Sequence, residues 1–190
     1  VFDGDFYALL KTALLVVVRG CHVVRHVHSV ISIESRPNGF AVQRGAVAMH
    51  HTPLYERHVA RGARLVEFAG WEMPLQFKGI IAEHRAVRSA AGLFDVSHMG
   101  QLFVRGPQAA EFLARMATWD LARLAAGECR YCHILDEQGR ILDDVIAFRL
   151  AADELLLVPN AATTVRIEAW LAAHIDDFDA TLENRSAELA

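Results

Sequence analysis

Cysteine is scarce in this chain of 190 residues, which contains three, an odd number. Disulfide frameworks use paired cysteines in oxidising compartments, so this content fits a reducing compartment better. A large excess of charge is also absent, since the formal net charge at pH 7 is -4. Binding nucleic-acid phosphates over a broad surface needs clustered Lys and Arg, so the charge balance argues against a nucleic-acid partner.

An apolar run long enough to cross a membrane is missing as well. The run over residues 8–18 is interrupted by Lys11 and Thr12, and a spanning helix needs about 20 apolar residues. Asp3 and Asp5 precede this run, where a secretory signal requires a basic segment. We therefore expect neither a membrane partner nor secretion.

The composition, 53% hydrophobic and 22% charged, is that of one or two soluble domains with a substantial core. Residues 19–44 contain several arginines and only Glu34 as an acid, which mildly resembles a mitochondrial transit peptide. We expect residues 1–48 to be an extension outside the fold, with Met49 as the natural start and a domain over residues 49–190. The expected location is the cytoplasm, with the mitochondrial matrix as the alternative.

Periodicity predicts a mixture of helices and strands without a regular βαβ repeat, which favours an α+β fold with antiparallel sheets and flanking helices. Thr52 and Pro53 are typical of a helix start, and Gly92 is expected to end the helix before it. Residues 136–139, which end in a glycine, predict a hairpin turn. The predicted helices cover residues 55–62, 80–90, 108–117 and 164–175, and the predicted strands cover residues 64–68, 101–105, 130–135, 141–150, 155–158 and 179–183.

Asp143 and Asp144 lie together near the start of an apolar strand. Successive side chains of a strand point to opposite faces, so at most one of the two lines a given pocket. Apolar neighbours would partly bury that carboxylate, and such burial is costly enough to suggest a purpose. From the residues alone, the pair also fits two acids that cap the strand or bind hairpin amides.

Several motifs, in this order, resemble those of the aminomethyltransferases, the T proteins of the glycine cleavage system. The resemblance begins at Thr52 and runs to the end of the chain. The matching segments are Thr-Pro-Leu-Tyr at 52–55, Phe-Ala-Gly-Trp-Glu-Met-Pro at 68–74, Glu-His-Arg-Ala-Val-Arg at 83–88, Gly-Leu-Phe-Asp-Val-Ser-His-Met-Gly at 92–100 and the Asp143-Asp144 pair.

The resemblance implies transfer of a one-carbon unit from the aminomethyl-lipoyl arm of the H protein to tetrahydrofolate, with release of ammonia and no need of a metal. It implies that Asp144 is the catalytic carboxylate. It also implies tetrahydrofolate contacts from Met99, Tyr131, Leu142 and Asn160. Asp95 and His98 are expected to order their loop as a hydrogen-bonded pair rather than to react.

T proteins are roughly twice as long, so the resemblance implies that this chain is the N-terminal part of the folate-binding region, incomplete at its C-terminus and inactive alone. Trp119 replaces a usual asparagine, and Phe148 stands where a tyrosine is frequent. The alternative is a non-catalytic or repurposed folate-binding relative from the iron-sulfur or tRNA maintenance branch.

Two further patterns suggest other chemistry. Cys129-Arg-Tyr-Cys132-His133 fits the C-x-x-C-H signature of covalent haem attachment, but the motif is short, its surroundings are strand-like and secretion is not expected. We therefore do not expect haem. Cysteine and histidine ligands for zinc also occur together near the N-terminus, in a segment that offers no scaffold for them. They are Cys21, His22, His26 and His28.

Overall fold

The computed structural model of the chain describes residues 15–19 and 49–189. These residues divide into two units. The larger contains Thr52–Leu54 and the chain from Asp95 onward, and the smaller contains residues 16–19, 49–51 and Tyr55–Phe94. Within the described ranges, none of the helices is long and apolar enough to cross a bilayer.

The elements alternate irregularly along the chain, as an α+β fold requires. The strands are β1 (Leu15–Arg19), β2 (Arg64–Phe68), β3 (Trp71–Gln76), β4 (Ala91–Asp95), β5 (Leu102–Arg105), β6 (Cys129–Leu135), β7 (Ile141–Ala151), β8 (Glu154–Val158) and β9 (Thr181–Asn184). The α-helices are α1 (Tyr55–Ala60), α2 (Ile80–Ser89), α3 (Ala109–Met116), α4 (Thr164–Ala172) and α5 (Ser186–Leu189), with a 3-10 turn at Leu121–Arg123.

A five-stranded sheet in the order β6-β7-β8-β5-β9 forms the larger unit. All of its neighbouring strands are antiparallel. The predicted turn between β6 and β7 is present, and Gly139 adopts φ 75° there. The α+β class with antiparallel sheets and flanking helices is therefore confirmed.

One face of this sheet carries the main core. Side chains that alternate along β5, β6, β7 and β8 pack with residues of α3 and α4, which bury the apolar stripes of those helices. The fully buried members include Leu102, Val104, Phe112, Leu113, Ile134, Leu155, Leu157, Ile167 and Leu171.

The opposite face of the sheet, here called the site face, carries a smaller apolar cluster. Phe103, Leu156 and Val158 are buried in it. Met99, Phe148 and Leu150 are partly buried and pack against those three. The guanidinium groups of Arg105 and Arg185 lie 4.8 and 5.4 Å from the ring centroid of Phe103. The site face is thus an apolar surface with charged groups near one edge.

The smaller unit contains two two-stranded sheets, β2 with β3 and β1 with β4. Strand β3 was not predicted, and it contains Pro74. Proline is tolerated there because each strand of a two-stranded sheet is an edge strand. The pairing of β1 with β4 was also not anticipated, and the proposed extent of the extension remains a prediction.

The prediction that Gly92 ends α2 is wrong. The helix ends at Ser89, Ala90 follows with φ -142°, and Gly92 lies inside β4. A Cβ atom at Gly92 would lie 2.4 Å from Cγ2 of Val87. The absence of a side chain at Gly92 therefore permits a close approach of the strand to the helix rather than a helix-terminating turn.

Deleting residues 1–48 should leave the five-stranded sheet intact, because its strands all lie after residue 101 and pair with one another. Hydrogen exchange measured by mass spectrometry should show unchanged protection in β5 to β9 and faster exchange in β4, which loses β1. A clear loss of protection in β5 to β9, or a melting temperature lowered by several degrees, would show that the deleted residues belong to the core.

Candidate active site

An extra residue in β7 decides which of its side chains share a face. Leu135 pairs with Ile141, and Ile134 pairs with Asp143. Leu142 is therefore an additional residue on β7 between two consecutive pairs, which is a β-bulge. The carbonyl oxygen of Leu142 accepts a hydrogen bond from the Arg166 guanidinium.

Beyond the bulge, Asp144 pairs with His133 and Ile146 pairs with Tyr131. Directly paired residues of an antiparallel sheet point to the same side. Asp144 therefore shares the site face with Tyr131 and His133, while Asp143 points to the core. The prediction that the two carboxylates occupy opposite faces is confirmed.

Asp144 is exposed and holds hydrogen bonds on both carboxylate oxygens. The Tyr131 hydroxyl donates to Oδ2 over 3.1 Å, and the Asn160 side-chain amide donates to Oδ1 over 3.1 Å. Tyr131 lies diagonally across the strand pair from Asp144, within reach of a long aromatic side chain. The carboxylate is thus oriented while remaining accessible to a ligand.

The pKa of Tyr131 is raised above its ordinary value. Burial is the largest cause, followed by the hydrogen bond to Asp144 and the negative charges of Asp144 and Asp143. Each of these disfavours the phenolate. Tyr131 therefore stays protonated at neutral pH and serves Asp144 as a hydrogen-bond donor.

Asn160 reaches the site from the loop between β8 and α4. Its carbonyl oxygen accepts from the backbone amides of Thr163 and Thr164, each over 3.0 Å. This turn fixes the backbone at the start of α4 and orients the Asn160 side chain toward the pair of aspartates.

Asp143 is buried, with 6% of its surface exposed, and it has three donors. They are the Thr163 hydroxyl at 2.6 Å, the Asn160 backbone amide at 3.0 Å and the Asn160 side-chain amide at 2.9 Å. A buried charge without donors is strongly unfavourable. Asp143 therefore joins β7 to the Asn160 loop instead of facing a pocket.

The remaining predicted contacts, Met99 and Leu142, lie in different places. Met99 packs against the apolar cluster of the site face, as Phe148 does. Its loop is joined to the Asn160 loop by the Gly100 amide, which donates to the Pro159 carbonyl over 3.0 Å. Leu142, at the bulge, packs against the main core instead. The structure thus brings Asp144, Tyr131 and Asn160 into one hydrogen-bonded group with Met99 on the same face, and Leu142 is not part of that group.

Asp95 orders the loop that precedes Met99. Its carboxylate accepts from the Thr52 hydroxyl over 2.6 Å and from the Ser97 amide over 3.0 Å, so the hydroxyl expected at a helix cap is used in this contact. Burial lowers the pKa of His98, and the negative charge of Asp95 partly opposes that shift. The two hydrogen bonds accepted by Asp95 are those of an acid that positions a loop.

The structure adds two residues to the site. His133 was considered only as part of the C-x-x-C-H pattern, and Thr163 was not predicted to have a role. His133 stands opposite Asp144, and its ring contacts the Tyr131 ring edge to face at 5.4 Å. The predicted β6–β7 hairpin would place His133 opposite Asp144 only if it included the bulge at Leu142, which the sequence did not predict. Thr163 gave no local signal, because its contact with Asp143 spans 20 residues.

The C-x-x-C-H pattern falls on β6 and divides between its faces. Cys129 is exposed, whereas Cys132 is 1% exposed in the main core. Partial desolvation of the Cys129 thiol raises its pKa, and burial raises the pKa of Cys132 to about 11. Two protonated thiols on opposite faces cannot both reach one haem.

Residues 49–189 contain no group of three His, Cys, Asp or Glu side chains arranged to hold a metal ion. The candidate zinc ligands of the N-terminal segment lie outside the described residues. They are Cys21, His22, His26 and His28.

Comparisons with known proteins point to one family. The model of the GCVT N-terminal domain family matches residues 54–190. An aminomethyltransferase of Rubrobacter xylanophilus is 49% identical over 150 residues, which cover 79% of this chain and 40% of that protein. An aminomethyltransferase of Chlorobaculum tepidum is 48% identical over 143 residues, which cover 75% of this chain and 39% of that protein.

A solved structure agrees with these relatives. The glycine cleavage system aminomethyltransferase T from Bartonella henselae superposes with a TM-score of 0.69 at 40% identity, over 72% of this chain and 38% of that one. The chain therefore spans about two fifths of the length of the curated relatives it matches.

Replacing Asp144 by Asn should lower the pKa of Tyr131, because the substitution removes a carboxylate that disfavours the phenolate. The remaining effect of burial should keep that pKa from falling to its ordinary value. An NMR titration of ring-labelled tyrosine resolves Tyr131 from the other two tyrosines. The control is Asp153→Asn, a change of an exposed acid that should leave the titration unchanged. An unchanged or higher Tyr131 pKa in Asp144→Asn would contradict the described hydrogen bond.

Proposed function

Since the chain belongs to the GCVT N-terminal domain family, that of the aminomethyltransferases, we propose that its site face binds tetrahydrofolate for transfer of a one-carbon unit. The proposed donor is the aminomethyl-lipoyl arm of the H protein of the glycine cleavage system. Because the chain spans about two fifths of its relatives, the complete reaction and the H-protein contact are proposed for a protein of their length.

The observation that carries this proposal is the position of Asp144 at the border of an apolar surface. Its carboxylate is exposed and is held by the Tyr131 hydroxyl and the Asn160 amide. Met99 and Phe148 lie on the same face. A thioether and an aromatic ring suit the flat faces of a heterocycle. These residues therefore fit a flat ligand that presents amines at one edge, as tetrahydrofolate does.

The chemistry follows from the charge of this carboxylate. Transfer breaks two bonds of the aminomethyl carbon. Breaking the bond to nitrogen releases ammonia and leaves the carbon electron-deficient, and breaking the bond to the lipoyl sulfur leaves the reduced lipoyl thiol. Bound tetrahydrofolate supplies the two amines that take up this carbon, and the two protons that they lose pass to the ammonia and to the thiol. Asp144 stabilises the positive charge that develops and orients the attacking amine. Tyr131 and Asn160 keep both carboxylate oxygens in place, so that little reorganisation is needed during the reaction.

The alternative of a non-catalytic relative from the iron-sulfur or tRNA maintenance branch is not favoured. The matched curated relatives are aminomethyltransferases. Asp144 retains an accessible carboxylate with two donors, which is the group the transfer requires. No contact among residues 49–189 specifically favours the other branch.

The function can be tested in a chimera in which residues 54–190 of this chain replace the matched region of the Rubrobacter xylanophilus aminomethyltransferase. Asp144→Asn should lower the transfer rate about 100- to 1000-fold, about 2.7 to 4 kcal/mol by analogy with the loss of one oxyanion-hole donor. Tetrahydrofolate affinity should change far less, because the lost interaction is made chiefly in the transition state. Single-turnover transfer from the aminomethyl-lipoyl H protein and calorimetric titration measure the two quantities.

The matched control is Asp153→Asn in the same chimera. It makes the same chemical change at an exposed position in the turn between β7 and β8, and it should leave both rate and affinity unchanged. Equal transfer rates for the unmodified chimera and Asp144→Asn would refute the assignment of this carboxylate. An equal loss in Asp153→Asn would refute it as well, since the loss would then not be specific to the site.

A further inference from the structure

The side-chain amide of Asn160 is surrounded on its nitrogen side by acceptors. Nδ2 lies 2.9 Å from Oδ1 of Asp143, 3.1 Å from the backbone oxygen of Asp144 and 3.1 Å from Oδ1 of Asp144. None of these three oxygens carries a proton when the acids are ionised. Rotating the amide by half a turn would place Oδ1 against all three, so only one orientation is compatible with the site.

With Nδ2 engaged in this way, Oδ1 is the part of the amide left for a ligand. Among the residues that the structure describes, no donor forms a hydrogen bond to Asn160 Oδ1. Asn160 is half-buried. A carbonyl oxygen can accept a hydrogen bond and cannot donate one. The site therefore offers an acceptor from Asn160 beside the carboxylate of Asp144.

The fixed part of this arrangement is Asp143. Its Oδ2 accepts from the Thr163 hydroxyl and from the Asn160 backbone amide, while its Oδ1 accepts from Asn160 Nδ2. The carboxylate therefore holds both the backbone and the side chain of Asn160. Since it is buried on the core face, its effect on a ligand must be transmitted through Asn160.

We propose that Asp143 is a positioning residue, which locks the Asn160 amide with its oxygen toward the ligand and thereby selects a ligand that presents an N–H donor next to the amine at Asp144. The identity of that ligand as tetrahydrofolate rests on the proposed function. The locking of the amide does not depend on it.

Asp143→Asn tests the lock, because it preserves size and changes only the hydrogen-bonding pattern. The new amide keeps one oxygen, which can still accept from Thr163 and the Asn160 backbone. Its NH2 group then faces Asn160 Nδ2, so that two donors are in contact and the hydrogen bond from Nδ2 to residue 143 is lost. Full rotation of the Asn160 amide would set its oxygen against the two Asp144 oxygens. The substitution should therefore loosen the amide, whose oxygen is then no longer held toward the ligand.

The first measurement is the side-chain amide spectrum of Asn160 in the full chain labelled with ¹⁵N at asparagine only, of which the chain contains three. In the parent protein the two amide protons should be well separated and exchange slowly with water. In Asp143→Asn the signals should shift and exchange about 10- to 100-fold faster, the factor expected when a hydrogen bond to a charged group is lost. Unchanged Asn160 signals would overturn the proposed lock, whatever the ligand result.

The second measurement is the affinity of the same proteins for tetrahydrofolate by calorimetry. Asp143→Asn should weaken binding about tenfold or more, because the Asn160 oxygen is no longer held toward the ligand donor. The control for lost stability is Val145→Ala, a change on the same strand face at a residue 1% exposed. It should lower the melting temperature and leave both the Asn160 signals and the affinity unchanged.

The outcomes separate the two proposals. Shifted Asn160 signals with an unchanged affinity would overturn the role of Asp143 in ligand selection. A parent chain that does not bind tetrahydrofolate would overturn the proposed ligand for this chain, while the spectrum would still decide whether Asp143 locks the amide. Weaker binding in Val145→Ala equal to that in Asp143→Asn would assign the effect to stability and overturn the positioning role.

Discussion

The β-bulge at Leu142 is the constraint on which the candidate site depends. One extra residue in β7, between the pairs of Leu135 and Ile134, sets the face of every side chain that follows it. It places Asp144 beside Tyr131 and turns Asp143 into the core. The bulge is itself supported by the Arg166 guanidinium, which donates to the Leu142 carbonyl. Arg166 lies in α4, so a helix that covers the main core also fixes the register of the site.

Burial then gives the two adjacent carboxylates different roles. Asp143 is enclosed and needs its three donors, since hydrogen bonds to a charged group are worth about 1.5 to 3 kcal/mol each and a buried charge without them is costly. Asp144 is exposed and has two donors, which orient it without covering it. Asn160 contacts both acids, so the core face and the site face are joined through one amide.

Much of the fold follows from local patterns, whereas the site follows from contacts that local patterns do not specify. Alternation and turn residues predicted β6, β7 and their hairpin, and they showed that the two aspartates occupy opposite faces. They could not show which aspartate accompanies Tyr131. Continued from the Leu135–Ile141 pair without an extra residue, the hairpin would place Tyr131 opposite Val145 and on the face of Asp143. The family resemblance selected Asp144, and the bulge supplies the physical reason.

The most direct measurement is the distance from the Asp144 carboxylate to the ring nitrogens of tetrahydrofolate, in a crystal structure of the chimera with this ligand bound. The account predicts an amine nitrogen within hydrogen-bond distance of Asp144, about 2.6 to 3.2 Å, with the ring lying over the side of the sheet that carries Met99 and Phe148. Tetrahydrofolate bound with its amines away from Asp144, or bound on the face that carries Asp143, would contradict it.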